Sequence, residues 1–176
     1  MTPQELAQAT GARIDRATTF LPFIENVAPD FGITTPERMA AFLAQVGHES
    51  GGLHWLVELW GPTEQQHRYE GRTDLGNTDP GDGFRFRGRG LIQITGRANY
   101  QQVGDALATD LVSQPELLGE PDMATRSAMW FWQKHGLNEL ADAGDFERIT
   151  RRINGGLNGQ TERLALWEQA KEVLSA

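Results

Sequence analysis

The sequence predicts a mainly α-helical protein that forms a single domain over residues 1–176. Three observations predict this fold class. Helix-start signals occur along the chain, apolar residues recur at the spacing of a helix face, and glycines follow several of these segments as helix stops. The length suits one domain with a sizeable buried core. Since the chain has no evident linker and no internal repeat, we expect no second domain.

Three helices are predicted in the first part of the chain. The first lies in TPQELAQAT, which opens with a threonine and a proline and has an acid in its first turn. The second has apolar residues at helical spacing from Ile14 to about Val27. The third lies in TTPERMAAFLAQVGHES, with Thr35 as N-cap, Pro36 at the first helical position and Gly51 as the stop.

The middle of the chain is predicted to be irregular. Residues 61–90 are rich in Gly, Asp, Asn, Thr and Arg, with a turn signal at NTDPGDG. Short strands are expected at Val57–Trp60 and Phe84–Phe86.

Helices resume in the last third of the chain. One lies in DMATRSAMWFWQKHG with Asp122 as its cap, and one in GDFERITRRINGG from Asp145 to Gly155. The last begins near Thr161. The aromatic run WFW with its preceding methionine, residues 129–132, is expected to belong to the core.

Composition and charge exclude several function classes. The net charge of −8 argues against a general nucleic-acid binder. The absence of cysteine excludes disulfides, thiolate metal sites and a thiol nucleophile. No apolar run is long enough to cross a membrane, and MTPQELAQATGARID has neither a basic leader nor an apolar segment of a signal peptide. We therefore expect synthesis in the cytoplasm without a signal peptide.

A local basic strip interrupts this acidic chain. Arg85, Arg87, Arg89 and Arg97 lie within GFRFRGRGLIQITGR. The strip is either a solvated charged face or a surface that meets an anionic polymer.

Two glutamates lie in the apolar stretch FLAQVGHESGGLHWLVELW. Glu49 falls in the last turn of the third predicted helix, where the helix dipole and the apolar neighbours both disfavour a negative charge. Such a carboxyl suits a general acid. Glu58 lies in a different element, so the two can face each other across a gap, as glycoside hydrolysis requires. The spacing alone is a weak signal, because acids at helix ends are often only solvent-exposed. Trp55 and Trp60, beside them, either line a cleft or close the core.

Other chemistries fit the sequence less well. His48 and Glu49 begin like a zinc-protease helix, but Gly52 stands where that motif needs its second histidine. FRGRGLIQITG lacks the glycine spacing of phosphate-binding loops, and DLGNTDPGDGF does not fit the calcium-loop template. We therefore expect no metal and no other cofactor.

Four segments, taken in order, resemble glycoside hydrolase family 19, the lysozyme-superfamily chitinases and their phage-endolysin relatives. They are AQVGHESGG, FRGRGLIQITGRANY, SAMWFW, and INGG followed by GQTER, and they span about Met39 to Arg163. The resemblance implies a lysozyme-like, two-lobed helical domain with a substrate groove and a small irregular or β segment. An alanine in GRANY replaces an aromatic cleft residue of the family, which bears on affinity for chitin.

The resemblance also implies catalytic roles. Glu49 corresponds to the general acid and Glu58 to the general base of compact members. Thr95 stands where the family has a Ser or Thr that helps the base to hold the attacking water. Glu70, in YEGR, is a rival base because plant enzymes place their second acid at about that distance from the first. Since the family inverts, we expect the Glu49 and Glu58 carboxyls to lie about 6.5–9.5 Å apart.

Further positions match residues that bind substrate or support the acid. Gln93 and Asn99 match polar residues of the sugar groove, Asn154 matches a substrate-binding asparagine, and His48 and Arg163 match residues near the acid. Without the resemblance, Gln93 and Asn154 are equally well explained as partners of buried backbone groups.

The resemblance leaves the polymer open. The expected substrate is the β-1,4 glycan of bacterial peptidoglycan, cleaved by an endolysin without a separate cell-wall-binding domain. Chitin oligomers are the alternative, and a non-catalytic glycan-binding module is a third hypothesis. The bare domain without an export signal favours peptidoglycan. An endolysin is made in the host cytoplasm and acts on the wall or in the periplasm after the membrane is permeabilised. We also expect a monomer, with no nucleic-acid partner and no insertion into membranes.

Overall fold

The computed structural model describes residues 1–175, and they form a mainly α-helical protein, as predicted. The α-helices, in chain order, are α1 Pro3–Thr10, α2 Ile14–Val27, α3 Pro36–Glu49, α4 Glu64–His67, α5 Asp82–Arg85, α6 Arg97–Leu107, α7 Pro121–Lys134, α8 Leu137–Asp142, α9 Phe146–Asn154 and α10 Gln160–Leu174. Short 3₁₀ helices lie at Ala28–Phe31, Thr73–Leu75 and Pro115–Gly119. Within residues 1–175, no helix is both long and apolar enough to cross a membrane.

Most of the predicted helix ends are confirmed. The hydroxyl of Thr35 accepts a hydrogen bond from the third amide of α3, and the carboxylate of Asp145 does the same for α9. The prediction for Asp122 is wrong, because α7 begins at Pro121 and has Glu120 as its N-cap. Proline is well suited to the first helical position, since its fixed φ is helical and its missing N–H has no partner there.

Helix α3 runs through the larger of two hydrophobic cores. Its residues from Ala40 to Val46 are all buried, and α1 and α10 pack against it. Trp132 of α7 is fully buried and meets the ring of Phe42 edge-on, with 5.5 Å between the ring centroids. A helix that is covered on all sides is held rigidly by its packing. Glu49, the last residue of α3, therefore has a fixed position.

A smaller core lies around α6 and the start of α7. Its buried residues are Phe86, Ile94, Tyr100, Val103, Leu111 and Leu118. A cavity of about 310 Å³ lies between the two cores, lined by Ile92 and Phe131 from the larger one and Ile94 and Val103 from the smaller. The two cores and the cavity correspond to the two predicted lobes and their groove.

The middle segment is irregular, as predicted, but the two predicted strands are wrong. In place of a strand at Val57–Trp60, Val57 forms an isolated bridge with Arg89, and Arg89 forms another with Ile94. The strand expected at Phe84–Phe86 is absent, because Phe84 lies in α5. The turn before α5 places an acid, Asp82, at the positive end of this short helix, which favours a helical turn over a strand.

Candidate active site

Glu49 is the last residue of α3 and lies directly before a sharp turn. Gly51 and Gly52 adopt left-handed φ angles of 59° and 71°, which a residue with a Cβ rarely adopts. A Cβ on Gly52 would also lie 2.7 Å from a backbone oxygen of Gly11, so this position requires glycine. The Glu49 side chain is 20% exposed, and its carboxyl is therefore within reach of a bound substrate.

Arg163 of α10 holds the Glu49 carboxylate. It is 1% exposed and donates from Nη2 to Glu49 Oε1. Its other nitrogens donate to Gln45 Oε1 at 2.6 Å and to the Asn158 carbonyl at 3.1 Å. A buried guanidinium needs such acceptors because unpaired charge is costly to bury. The structure thus places Arg163 directly on the predicted acid.

The His48 ring, next to the acid in sequence, packs against Gly159. The ring lies so close to Gly159 that a Cβ on that glycine would overlap it. Partial burial lowers the pKa of His48, and the positive charge of Arg163 lowers it further. The imidazole is therefore mostly neutral at pH 7. Support of the acid and a sugar contact by His48 both stay predictions.

The Glu58 carboxylate is held by three donors. Its Oε2 accepts from the Gly88 amide at 3.0 Å. Its Oε1 accepts from Gln66 Nε2 at 3.0 Å and from the Tyr69 hydroxyl at 3.4 Å. Burial and the nearby Glu58 charge raise the pKa of Tyr69, so it stays a donor. Three hydrogen bonds fix the orientation of the Glu58 carboxylate, as a positioned general base requires.

An open position beside Glu58 is surrounded by polar oxygens. A Cβ built on Gly88 would lie 3.3 Å from Glu58 Oε2, 3.3 Å from Thr95 Oγ1 and 2.5 Å from Gln93 Oε1. Glycine at position 88 leaves this point free of side-chain atoms. The structure therefore brings together three of the predicted site residues around one space next to the base.

Local bonds fix the orientation of Gln93 and Thr95. Gln93 adopts a left-handed φ of 55°, and its Nε2 donates to the Gly90 carbonyl at 3.0 Å. The Thr95 hydroxyl donates to the Gln93 carbonyl at 3.2 Å. A non-glycine residue with positive φ is uncommon and often marks a functional site.

The cavity between the two cores continues from this point. It is lined by Gln93, Thr95 and Asn99, among others. Asn99 Nδ2 donates to the Thr95 carbonyl at 2.7 Å. Asn154 is exposed at the end of α9, next to Ile153 on the cavity wall. Gln93 and Asn99 thus lie along one groove, whereas Asn154 is not among the residues that line it. Contact of these amides with substrate stays a prediction.

Glu70, the rival base, has a structural function. Its Oε1 accepts from the Gly81 amide at 2.6 Å and its Oε2 from the Gly83 amide at 2.9 Å. Both carboxylate oxygens therefore stabilise the turn that precedes α5. This arrangement favours Glu58 over Glu70 as the base.

The aromatic predictions need correction in part. Trp132 and Met129 are fully buried, as expected, but Trp130 and Phe131 are only half-buried and line the cavity. Trp55 is 50% exposed, so it does not close the core.

The residues that orient Glu58 were not predicted from the sequence. Gln66 and Tyr69 are its hydrogen-bond partners, and Gly88 provides both an amide and the open space. Only Gln66 has a sequence signal, since TEQQ forms a capping box with Thr63 at the start of α4. Among residues 1–175, no group of three His, Asp or Glu side chains is arranged to hold a metal ion.

Comparison with known proteins identifies the family. The family model described as class I chitinase, glycoside hydrolase family 19, matches residues 9–142. A glycosyl hydrolase family 19 domain-containing protein of Haemophilus influenzae is 38% identical over 164 residues, covering 77% of this chain and 80% of the relative. An endochitinase of Arabidopsis thaliana is 35% identical over 138 residues, covering 78% of this chain.

The fold is shared with a solved structure. The crystal structure of chitinase C from Streptomyces griseus matches 99% of this chain and 76% of its own, with a TM-score of 0.78 and 24% identity. The predicted lysozyme-like helical fold is thereby confirmed. The chain spans about half the length of the Arabidopsis relative, with 46% of it covered. The chain belongs to glycoside hydrolase family 19 and is a chitinase-like glycosidase.

Proposed function

We propose that the protein hydrolyses β-1,4 glycosidic bonds between N-acetylated sugars with inversion at the anomeric carbon. Glu49 is the general acid, Glu58 is the general base, and Thr95 helps to hold the attacking water. The observation that carries this proposal is that Glu58 Oε2 and Thr95 Oγ1 lie next to the same glycine, each 3.3 Å from the position that a Cβ on Gly88 would take. A water that bridges these two oxygens has an acceptor to take its proton and a hydroxyl to orient it.

The proposed reaction is a single displacement. Glu49 donates its proton to the leaving glycosidic oxygen as that bond breaks, while water attacks the anomeric carbon from the opposite face. Glu58 takes the proton that the water loses. The net result is one water consumed, one new reducing end with inverted configuration, and a carboxylate left on Glu49.

Arg163 supports the acid in this reaction. Its buried guanidinium stabilises the carboxylate that remains on Glu49 after proton transfer. A bound glycan would cover the exposed part of Glu49, and removing water from the carboxyl favours its protonated form beforehand. The carboxyl separation of about 6.5–9.5 Å that inversion requires remains an expectation of this mechanism.

The polymer that we propose is bacterial peptidoglycan. Support comes from Arg87, a cation beside Glu58 on a chain whose net charge is −8. Peptidoglycan carries carboxylates, whereas chitin is neutral. This substrate makes the protein an endolysin-type enzyme acting at the cell wall. Chitin is the second candidate, because several relatives are named as chitinases or endochitinases.

Two assays run side by side test the proposal. One measures reducing ends released from purified sacculi and turbidity loss of permeabilised Gram-negative cells, and the other measures hydrolysis of chitin oligomers. We expect release from sacculi, with α-anomeric products detected by NMR at early times. Hydrolysis of chitin alone would assign the second candidate, and activity on neither would favour a non-catalytic glycan-binding module.

A substitution at the acid tests the mechanism. Glu49→Gln keeps the shape of the side chain but removes its proton-donating ability, so we expect a rate loss of at least about 10²-fold. The thermal unfolding midpoint serves as a control for folding. Near-full activity in a folded Glu49→Gln variant would refute the assignment of the acid.

A further inference from the structure

Three of the four arginines in the basic strip are engaged by the protein itself. Arg89 is 6% exposed and donates to the Tyr100 hydroxyl at 2.7 Å, so it is unavailable to a ligand. Arg97 forms ion pairs with two aspartates at 2.7 and 2.8 Å. Arg85 donates to two backbone carbonyls of the 112–113 loop. These three side chains therefore hold the smaller lobe together.

Arg87 is partly buried and has an incomplete set of partners. Its Nη1 donates to the Phe84 carbonyl at 3.0 Å, but within residues 1–175 its Nε and Nη2 have no protein acceptor and no carboxylate is ion-paired with it. Arg85 also lacks a carboxylate, but it is exposed and its Nη2 is fixed to the 112–113 loop. Among the described residues, Gln160 Oε1 is the one buried side-chain nitrogen or oxygen that lacks a hydrogen-bond partner. Since Nε and Nη2 of Arg87 also lack a partner, these two nitrogens are exposed to solvent. The structure thus leaves part of a guanidinium fork free.

The surroundings of Arg87 favour an incoming anion. Burial lowers the pKa of Arg87, and the positive charge of Arg89 lowers it further, while Glu58 acts in the opposite direction. The positive charge of the Arg87 guanidinium is therefore only partly balanced by negative groups of the protein. A carboxylate that pairs with the free nitrogens would supply the missing compensation.

An aromatic surface connects Arg87 to the base. The guanidinium lies over the ring of Phe84, 4.1 Å from its centroid, and Phe84 is 49% exposed. Trp60 packs edge-on to Phe84 at 5.2 Å and lies beside Tyr69, whose hydroxyl donates to Glu58. This Arg87–aromatic surface therefore lies directly beside the site of water attack and offers a flat apolar area next to a cation.

We propose that Arg87 binds a carboxylate of the glycan substrate on the Glu58 side of the cleft and thereby favours peptidoglycan over neutral chitin. This inference rests on the proposed function and specifies its substrate. A guanidinium fork can bind a carboxylate through two parallel hydrogen bonds, which a lysine cannot reproduce. Peptidoglycan has two possible sources of carboxylate, the stem peptides and the lactyl group of muramic acid. The lactyl group is a free carboxylate only where its amide bond to the stem peptide has been cleaved.

The test compares Arg87→Gln with Arg68→Gln on three substrates. Arg68→Gln removes the same charge from a side chain that is 77% exposed, so it controls for net charge. The substrates are sacculi with intact stem peptides, glycan strands freed of peptides by an amidase, and chitin oligomers. Amidase treatment leaves the lactyl carboxylate on muramic acid, so the second substrate separates the two sources.

We expect Arg87→Gln to lower kcat/KM on sacculi about tenfold, the size of one charge-assisted interaction, and to leave the value for chitin oligomers within about twofold. Loss on intact sacculi alone assigns the stem peptide, because the lactyl carboxyl is held there in an amide bond. Loss on the peptide-free strands alone assigns the lactyl carboxylate, and loss on both shows that Arg87 binds either carboxylate. An equal loss on all three substrates, or none on any, overturns the proposal. Arg87→Lys is expected to restore only part of the loss.

A binding measurement makes the result independent of turnover. In the Glu49→Gln background, addition of Arg87→Gln should weaken binding of anionic muramic-acid oligomers about tenfold and leave that of N-acetylglucosamine oligomers unchanged. If the wild-type protein cleaves neither polymer, the proposed function fails, but the binding comparison still decides the role of Arg87. Equal affinities for anionic and neutral oligomers that are insensitive to Arg87→Gln would overturn the inference.

Discussion

Replacing Gly88 by alanine tests the proposed water site without altering any catalytic side chain. The backbone at Gly88 is outside the left-handed region, so alanine is compatible with it. The new methyl group would lie 3.3 Å from Glu58 Oε2 and from Thr95 Oγ1, in contact with both oxygens that we expect to hold the attacking water. We therefore expect a folded protein that binds glycan but hydrolyses it slowly.

The structure gives the expected magnitudes. The methyl group would lie 2.5 Å from Gln93 Oε1, so the Gln93 amide must shift and weaken its hydrogen bond to the Gly90 carbonyl. The loss of one such bond costs about 1 kcal/mol of stability. Displacing the water from the base should lower the rate at least ~10²-fold, equivalent to about 2.7 kcal/mol of barrier. The effect on the rate thus exceeds the effect on stability.

Initial rates of reducing-end release, measured beside thermal unfolding, check this prediction. Gly71→Ala is the control for a glycine-to-alanine change away from the site, because no heavy atom lies near its Cβ position. Unlike Gly88, Gly71 has a left-handed φ, of 68°. This control should lose about 1–2 kcal/mol of stability through backbone strain and keep its full rate. Thr95→Val should cost less activity than Gly88→Ala, since it removes only one partner of the water. If folded Gly88→Ala kept more than about a third of the wild-type rate, the water would not occupy this space.

Three further predictions concern the carboxylates and their neighbours. Glu70→Gln should lose about 1 kcal/mol of unfolding free energy in urea titrations, because one amide acceptor is lost, and keep its rate within about threefold; Glu58→Gln should lose at least ~10²-fold in rate, and the reverse pattern would make Glu70 the base. Arg163→Met should lower stability by about 3–5 kcal/mol in the same titration, because it leaves the Glu49 carboxylate without its buried partner; an unchanged unfolding midpoint would contradict this account of the ion pair. Because folding lowers the pKa of His48, the unfolded chain binds a proton more readily than the folded protein does. The stability contributed by the neutral ring is therefore complete above the unfolded pKa of about 6.5 and declines as the pH falls. His48→Gln should flatten this dependence of the unfolding free energy between pH 7.5 and pH 5, and an equal slope in both proteins would refute it.

The helix boundaries and the position of Glu49 at a helix end were largely predictable from local sequence. Thr35 and Asp145 cap their helices through bonds to amides only three residues away, so the signal and its effect lie in the same short segment. The position of Glu49 at the end of a buried helix followed in the same way from an apolar run and two glycines. The WFW run was only partly predictable, since its helical pattern does not say which side faces the groove.

The environments of the acids depended on tertiary structure. Arg163 reaches Glu49 from 114 residues further along the chain, and the amide that holds Glu58 comes from Gly88, 30 residues away. Glu70 resembled a base in sequence, yet both of its oxygens are bound by amides of a distant turn. Sequence patterns report the chemistry that a side chain carries and the local backbone conformation. Only the packing of distant segments decides which groups surround that side chain, and hence whether a carboxylate meets an arginine, a water site or a backbone turn.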